Sequence, residues 1–358
     1  MNYFHLLDTI RSITARRGHD RFPVLQPPVL AFRAADGGVA PIVVADAHLA
    51  KGVLQSSRYR QVNFLEHVLT IARSERTTWI RRFCDIGLIM VDGPEHRRRR
   101  LLMQQALDRC AAGVRTIPEG EIVAAIEGGL AADPCTSVAI AYRLVVLLFS
   151  RSIAALTGHP VELPAGDLFG IDFFNPFPTL SSLARCNESI DRCCRAIGLE
   201  SLEEPEQAAV LSLLLMGVSP LHALLTAMLD AYAVARRDGF AADEAARRTE
   251  AVDSYAIVPT NFLMRACVAA DSIGAEAVAP GDVIYLFLGS ATGCPFSRLT
   301  SVPFGAGRHF CSGATLTQVM QAAVRVGLGR IEADWSRIES AAVVQGKAAA
   351  FVSFTTNS

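Results

Sequence analysis

The ten residues from Phe304 to Gly313 (Phe-Gly-Ala-Gly-Arg-His-Phe-Cys-Ser-Gly) combine side chains and spacing that can do chemistry. Gly305 and Gly307 permit a tight turn with positive φ, or a close approach of backbone to a flat ligand. Cys311 follows, directly before a predicted helix, where backbone N–H groups and the positive end of the helix dipole favour a thiolate. Gly313 removes side-chain bulk beside the sulfur. A soft thiolate at a helix start, shielded by aromatic residues, suits a haem iron. The competing reading is a Gly-rich surface loop with an incidental Cys, and two glycines alone would leave it favoured.

The full pattern F-G-x-G-x-H-x-C-x-G is more specific. At Phe304, Gly305, Gly307, His309, Cys311 and Gly313 it resembles the haem-binding loop of the cytochromes P450, and the chain as a whole resembles a bacterial member of that family. The resemblance implies haem b ligated by Cys311. Asp92-Gly93-Pro94-Glu95-His96 with Arg100 is similar to the family's D-P-P-E-H-x-x-x-R segment, whose His and Arg contact haem propionates. Alone, His96 to Arg100 reads as a solvated basic face or a phosphate patch. In this context His96 and Arg100, four apart on one helical face, suit carboxylates, and Arg97 to Arg99 are expected to be mostly solvated. Pro259 and Arg265 fit the P-x-x-x-x-x-R stretch, with Arg265 on a propionate, and His309 would add a contact. Four converging basic groups are what a buried dianionic porphyrin requires.

Three departures from the family stand beside the match. Its A-G-x-D/E-T motif over the haem becomes Met216-Gly217-Val218-Ser219-Pro220, so the acid is Ser219 and the alcohol is Pro220. In the family those groups deliver protons to bound dioxygen. Ser219 can hold a water but is a poor proton source, and Pro220 has no N–H, so a kink is expected there. Fatty-acid peroxygenases of the family also carry Pro here, preceded by an Arg that this chain lacks. Second, the E-x-x-R motif is missing where counting back from Pro259 places it, at Val252 and Tyr255. The literal E-x-x-R at Glu244 to Arg247 reads as an i,i+3 surface pair. Third, only Ala291 to Pro303 separate the preceding strand end from Phe304, a shortened form of the region that faces an electron donor in the family.

The elements that must position these groups follow from periodicity and punctuation. Pro41–Asp46 reads as a strand, and Asp46–Gln55 as a helix with Asp46 as N-cap. Helices are predicted over Pro94–Leu107, with Pro in its first turn, over Val138–Leu156, over about Gln207–Arg237 and over Ala314–Leu328. Asp167–Leu180, aromatic and Pro-rich, reads as a loop or two short helices. Asp271–Phe287 reads as strand–turn–strand about Pro280-Gly281, and the last 25 residues have room for a hairpin. The expected fold is mainly α with a small β part, one domain over residues 1–358, and by resemblance the cytochrome P450 fold.

Composition bounds the function classes. The 358 residues carry 34 Lys plus Arg against 35 Asp plus Glu, and 51% are hydrophobic; the mean hydropathy is +0.30. A net charge of −1 argues against bulk nucleic-acid or anionic-membrane binding. Ala208–Leu229 has no formal charge and the length of a membrane span, but Pro220, His222 and acidic flanks point to a buried helix. Nine Cys, an odd number without a C-x-x-C pair, agree with a cytoplasmic home. The expected activity is that of a haem-thiolate monooxygenase or peroxygenase acting on a small intermediate of bacterial secondary metabolism, with a ferredoxin-type donor left open. A redox-neutral lyase or isomerase acting on an N–O or O–O bond, and a non-catalytic accessory protein, are the alternatives. Gly217 and Ser219 are the candidate catalytic positions. Leu213, Met216, Thr260, Asn261, Phe262 and Leu263 are the candidate substrate contacts.

Overall fold

A computed structural model describes residues 29–31, 41–44, 46–62, 75–89, 91–133, 135–168, 180–250, 262–287, 304–335, 338, 344–345 and 351–352. The chain divides into two compact units, each discontinuous in sequence. One comprises residues 1–63, 254–311 and 344–354; the other comprises 64–253, 312–343 and 355–358.

The first unit is built on a mixed sheet of five short strands. β1 (Val29–Ala31), β2 (Pro41–Val44), β3 (Tyr59–Gln61), β4 (Phe262–Cys267) and β7 (Val283–Phe287) stand in the order β1-β2-β7-β4-β3. The β2–β7 pairing is parallel (Val43 opposite Tyr285) and the other pairings are antiparallel, so β3 is an edge. Helix α1 (Ala47–Gln55) starts where Asp46 caps it, Oδ1 accepting the Leu49 N–H at 2.8 Å. Its Val53 and Leu54 join Ile42, Val44, Ile284 and Leu286 in the core. The turn expected at Pro280-Gly281 is present, but the strand expected before it is split into a hairpin, β5 (Asp271–Ile273) with β6 (Glu276–Val278). Gly274 supplies positive φ at its tip, and Gly281 (φ 97°) turns the chain again into β7. Three-residue strands are too short to show a period. The predicted C-terminal hairpin is present as β8 (Val344–Gln345) against β9 (Phe351–Val352).

The second unit is helical: α2 (Thr78–Ile86), α3 (Gly93–Arg115), α4 (Glu119–Leu130), α5 (Ser137–Thr157), α6 (Ala165–Leu168), α7 (Leu180–Ile197), α8 (Glu204–Ser212), α9 (Val218–Arg237), α10 (Ala242–Arg248) and α11 (Ala314–Leu328). A π turn over Leu213–Gly217 joins α8 to α9. Helix α5 is central and packs against α3, α4 and α9, burying Ile140, Leu144, Leu148, Phe149 and Ile153 completely or nearly so. Helix α3 runs eight residues beyond the expected end because it crosses α5 closely: a methyl on Gly113 would meet Ala155 Cβ at 2.7 Å. Among the described residues two helices, Ser137–Thr157 and Glu204–Arg237, are long and apolar enough to cross a membrane, where the sequence suggested one. In the second, 72% of the most apolar window is buried inside the protein.

A polar ladder on α9 faces the start of α5. His222 Nε2 lies 3.2 Å from the Val138 carbonyl, and burial pushes the His222 pKa down. Thr226 Oγ1 donates to the His222 carbonyl at 2.9 Å. One turn further on, burial raises the Asp230 pKa from 3.8 to about 6, against the pull of the Ser137 hydroxyl and Arg237. A carboxyl raised by folding is favoured in its protonated form, so stability is highest below about pH 4 for this group. It falls as pH rises through about 6 and stays lower above. Asp230→Asn should therefore raise stability at pH 7.5 by about 2–3 kcal/mol and flatten the pH dependence of urea unfolding between about pH 4 and 6.5. A loss of stability at pH 7.5 would contradict this.

Candidate functional site

The Phe304–Cys311 loop in the first unit has a defined backbone. Gly305 and Gly307 both adopt positive φ, 73° and 69°. Gly307 has a second constraint: a methyl there would overlap the Leu54 carbonyl oxygen at the end of α1 and lie 3.1 Å from Gln55 Cα. Ala306 is buried in the same core, 8% exposed. A single 3-10 turn spans Gly307–His309, closed by the Phe310 N–H on the Gly307 carbonyl at 3.1 Å. The Cys311 N–H then donates to the Phe304 carbonyl at 2.8 Å, which fixes the cysteine backbone at the mouth of the loop. The rings of Phe304 and Phe310 meet edge to face with centroids 6.3 Å apart.

Cys311 is exposed, whereas every other described cysteine is buried. Burial pushes the Cys84, Cys110 and Cys193 thiols up to about 12, keeping them protonated and inert. Cys311 thus has the accessibility a ligand needs. In the same unit, Arg265 sits on β4 opposite Ile284, 4% exposed, its Nη1 donating to the Met264 carbonyl at 2.8 Å. His309 and Leu263 are half-buried. Phe262 is placed by backbone alone, opposite Phe287. Thr260, Asn261 and Pro259 lie outside the described residues, as do Val252, Tyr255 and the Ala291–Pro303 segment.

The second unit holds the remaining candidates. Asp92 caps α3 through its Oδ1, which accepts the Gly93 N–H at 2.9 Å. His96 is 2% exposed, and Arg100, one turn on, is half-buried. Arg97 faces solvent as expected, but the other two do not simply solvate: exposed Arg98 grips Glu95 through two bonds of 2.9 and 2.8 Å, and Arg99 bonds Glu95 at 2.7 Å and reaches the Asp85 carbonyl. Arg98 and Arg99 together hold the Glu95 carboxyl down to about 2. Glu244 pairs with Arg247 at 2.5 Å on the surface of α10, the i,i+3 pair expected of the displaced E-x-x-R.

At the π turn, the Val218 N–H bonds the Leu213 carbonyl, five residues back, just before Pro220. The kink expected from Pro220 therefore takes the form of a widened turn, which absorbs the missing donor. Met216, Gly217, Ser219 and Pro220 are half-buried there, while Leu213, Leu214, Val218 and Leu221 around them are buried. The Ser219 hydroxyl has no hydrogen-bond partner among the described residues. Gly217 has a packing reason as well: a methyl would meet the Phe149 ring of α5 at 3.2 Å. An open groove of about 740 Å³ on this unit, lined by Val138, Tyr142, Val146 and Leu147, contains none of the candidate residues.

The donor chemistry fits haem. One accessible sulfur sits on a preformed glycine-relieved turn, and the same unit holds a buried cation, Arg265. The sequence missed two things here. One is the backbone contact that makes Gly307 obligatory; the other is Arg308, whose Nη2 donates to the Tyr59 carbonyl at 2.7 Å. Neither leaves a local signal, since the partners are far apart in the chain. Gly305→Ala, where the nearest atom is 3.9 Å away, should destabilise the first unit by about 1 kcal/mol through its φ alone. Gly307→Ala should cost several kcal/mol by adding an overlap with main chain. Urea unfolding would check the order, and equal costs would contradict it.

No protein-family model and no curated protein sequence matches the chain. Solved structures do. P450BioI bound to acyl carrier protein carrying hexadec-9Z-enoic acid is 16% identical, with a TM-score of 0.61 over 91% of this chain and 90% of that one. OxyB from teicoplanin biosynthesis, in complex with the X-domain, is 16% identical with a TM-score of 0.59, covering 90% of each chain. The tirandamycin C-bound P450 monooxygenase TamI is 20% identical with a TM-score of 0.55, covering 82% of each. With these likenesses across most of its length, the chain has the mainly α fold of the cytochromes P450.

Proposed function

We propose that the protein is a cytoplasmic haem-thiolate oxidoreductase of the cytochrome P450 type that oxidises a small organic intermediate in a bacterial biosynthetic pathway. The observation that carries the reading is the Cys311 loop, an exposed thiol on a turn shaped by two positive-φ glycines and closed by the Cys311–Phe304 bond. Its neighbours in fold support the biosynthetic setting: OxyB belongs to teicoplanin biosynthesis and TamI is a monooxygenase.

Cys311 would ligate the iron of haem b, Phe304 would shield the sulfur, and Gly305, Gly307 and Gly313 would leave room beside it. Arg265, His309, His96 and Arg100 would hold the propionates by charge-assisted hydrogen bonds. When bound, the haem supplies a redox-active iron that accepts electrons and an oxygen donor. On the distal side the chain offers the half-buried Ser219 hydroxyl, able to hold a water and pass its proton, and neither an acid nor a threonine beside it. Proton delivery from the helix is thus weaker than in the family, which favours a peroxide-dependent route or protons supplied by substrate. Leu213, Met216 and Leu263, with Thr260, Asn261 and Phe262, would contact the substrate.

Two kinds of protein partner are compatible with this reading. The exposed face of Arg97, Arg98 and Leu101 (65% exposed) on α3 offers a basic and apolar surface to an acidic electron donor such as a ferredoxin. The complexes of P450BioI with acyl carrier protein and of OxyB with the X-domain support delivery of substrate by a carrier.

Purified protein, reduced under carbon monoxide, should show the red-shifted Soret band of a thiolate haem, and Cys311→Ala should abolish it. Protein made with ample iron and haem precursor that takes up no haem would overturn the reading and favour an accessory role. Turnover should appear with a ferredoxin system or with peroxide. Equal turnover with neither would instead support a redox-neutral lyase or isomerase.

A further inference from the structure

Arg308 fills the one variable position between Gly307 and His309, and its contacts are unusual for a loop residue. Its Nη2 donates to the Tyr59 carbonyl at 2.7 Å, across 249 positions of sequence. Tyr59 lies on β3, the edge of the sheet, where outward carbonyls have no ladder partner. A guanidinium is well suited to such an acceptor, and its charge shortens and strengthens the bond.

The acceptor is itself held firmly. Tyr59 is 2% exposed, and burial, before the charge of Asp271, pushes its pKa up. Asp271 also binds Arg58 Nη1 at 2.9 Å, and the same nitrogen reaches the Ala270 carbonyl at 3.1 Å. The Val268 N–H closes on the Arg58 carbonyl at 2.8 Å. Residues 58–59 are therefore fixed to the β4–β5 connection, and Arg308 attaches the ligand loop to that fixed point.

The two neighbouring residues of the turn act in opposite senses. Gly307 rests on the Leu54 carbonyl, so the turn cannot move inward. Arg308 pulls on the Tyr59 carbonyl, so it cannot lift outward. His309 belongs to this turn, and Cys311 follows it through the bonds Phe310 N–H to Gly307 and Cys311 N–H to Phe304.

We infer that Arg308 is a positioning residue that straps the 307–309 turn to the edge strand, so that Cys311 is presented in its ligating arrangement before any group binds. The inference deepens the reading of Cys311 as a haem ligand, yet its first test needs no haem. In haem-free protein carrying Cys294→Ser, Arg308→Met should speed amide exchange at Phe310 and Cys311, and alkylation of the Cys311 thiol, by about threefold to tenfold. The Val268 amide, on the other side of the strap, should be unchanged. Arg308→Gln, which keeps a shorter donor, should fall between wild type and Met. In protein loaded with haem, Arg308→Met should enlarge the share of the reduced carbon monoxide adduct that lacks the red-shifted band.

Unchanged exchange and alkylation in Arg308→Met would overturn the strap. The two readings fail separately. A wild type that takes up no haem, with a loosened loop in the Met variant, sinks the haem reading and leaves the strap. A normal thiolate band in both proteins, with identical exchange, does the reverse.

Discussion

The loop that carries Cys311 is held in one shape by a main-chain contact, that of Gly307 with the end of α1. The Gly307 backbone lies against the last turn of α1, closer than any side chain would allow. From that contact the rest of the loop follows: positive φ at residues 305 and 307, a single helical turn, and the Cys311 amide bonded back to Phe304. The five-stranded sheet and α1 serve as the platform on which this contact is made. A loop of the same composition without the Leu54 carbonyl beneath it would have no reason to keep one shape.

The helical unit solves a different problem, the placing of polar groups in an apolar interior. His222, Thr226 and Asp230 form a stripe along α9 that meets the first turn of α5. His222 and Thr226 are satisfied by carbonyls; Asp230 is satisfied only in part, and carries its burial as a raised pKa. The π turn at Leu213–Gly217 is the matching device for Pro220, widening the helix where a donor is missing. It also leaves Met216, Gly217 and Ser219 less buried than Leu214, Leu215, Val218 and Leu221 around them.

What could be read in the sequence was whatever a residue type encodes locally. Asp46 announced its helix because a carboxylate accepts from the first turn, and Pro94 announced another because proline suits a helix start; the cap that Asp92 supplies there was not read. The F-G-x-G-x-H-x-C-x-G spacing announced the loop because glycine tolerates positive φ. The long helix was legible from its uncharged run, and the Glu244–Arg247 pair from its spacing. What escaped was tertiary. The extension of α3 to Arg115 depends on Gly113 meeting α5; the β5–β6 hairpin is too short to show a period; the role of Arg308 depends on Tyr59 in a remote strand. Gly217, read from its spacing as a position over the ligand, has a second reason for being glycine in the Phe149 ring.

Everything functional rests on the claim that the Cys311 sulfur is bonded to iron. X-ray absorption at the iron edge of the purified protein tests this directly. A single sulfur scatterer in the first coordination sphere, beside the porphyrin nitrogens and absent from Cys311→Ser, is the predicted result. Iron surrounded only by nitrogen and oxygen, or a sulfur signal that persists in Cys311→Ser, would contradict it.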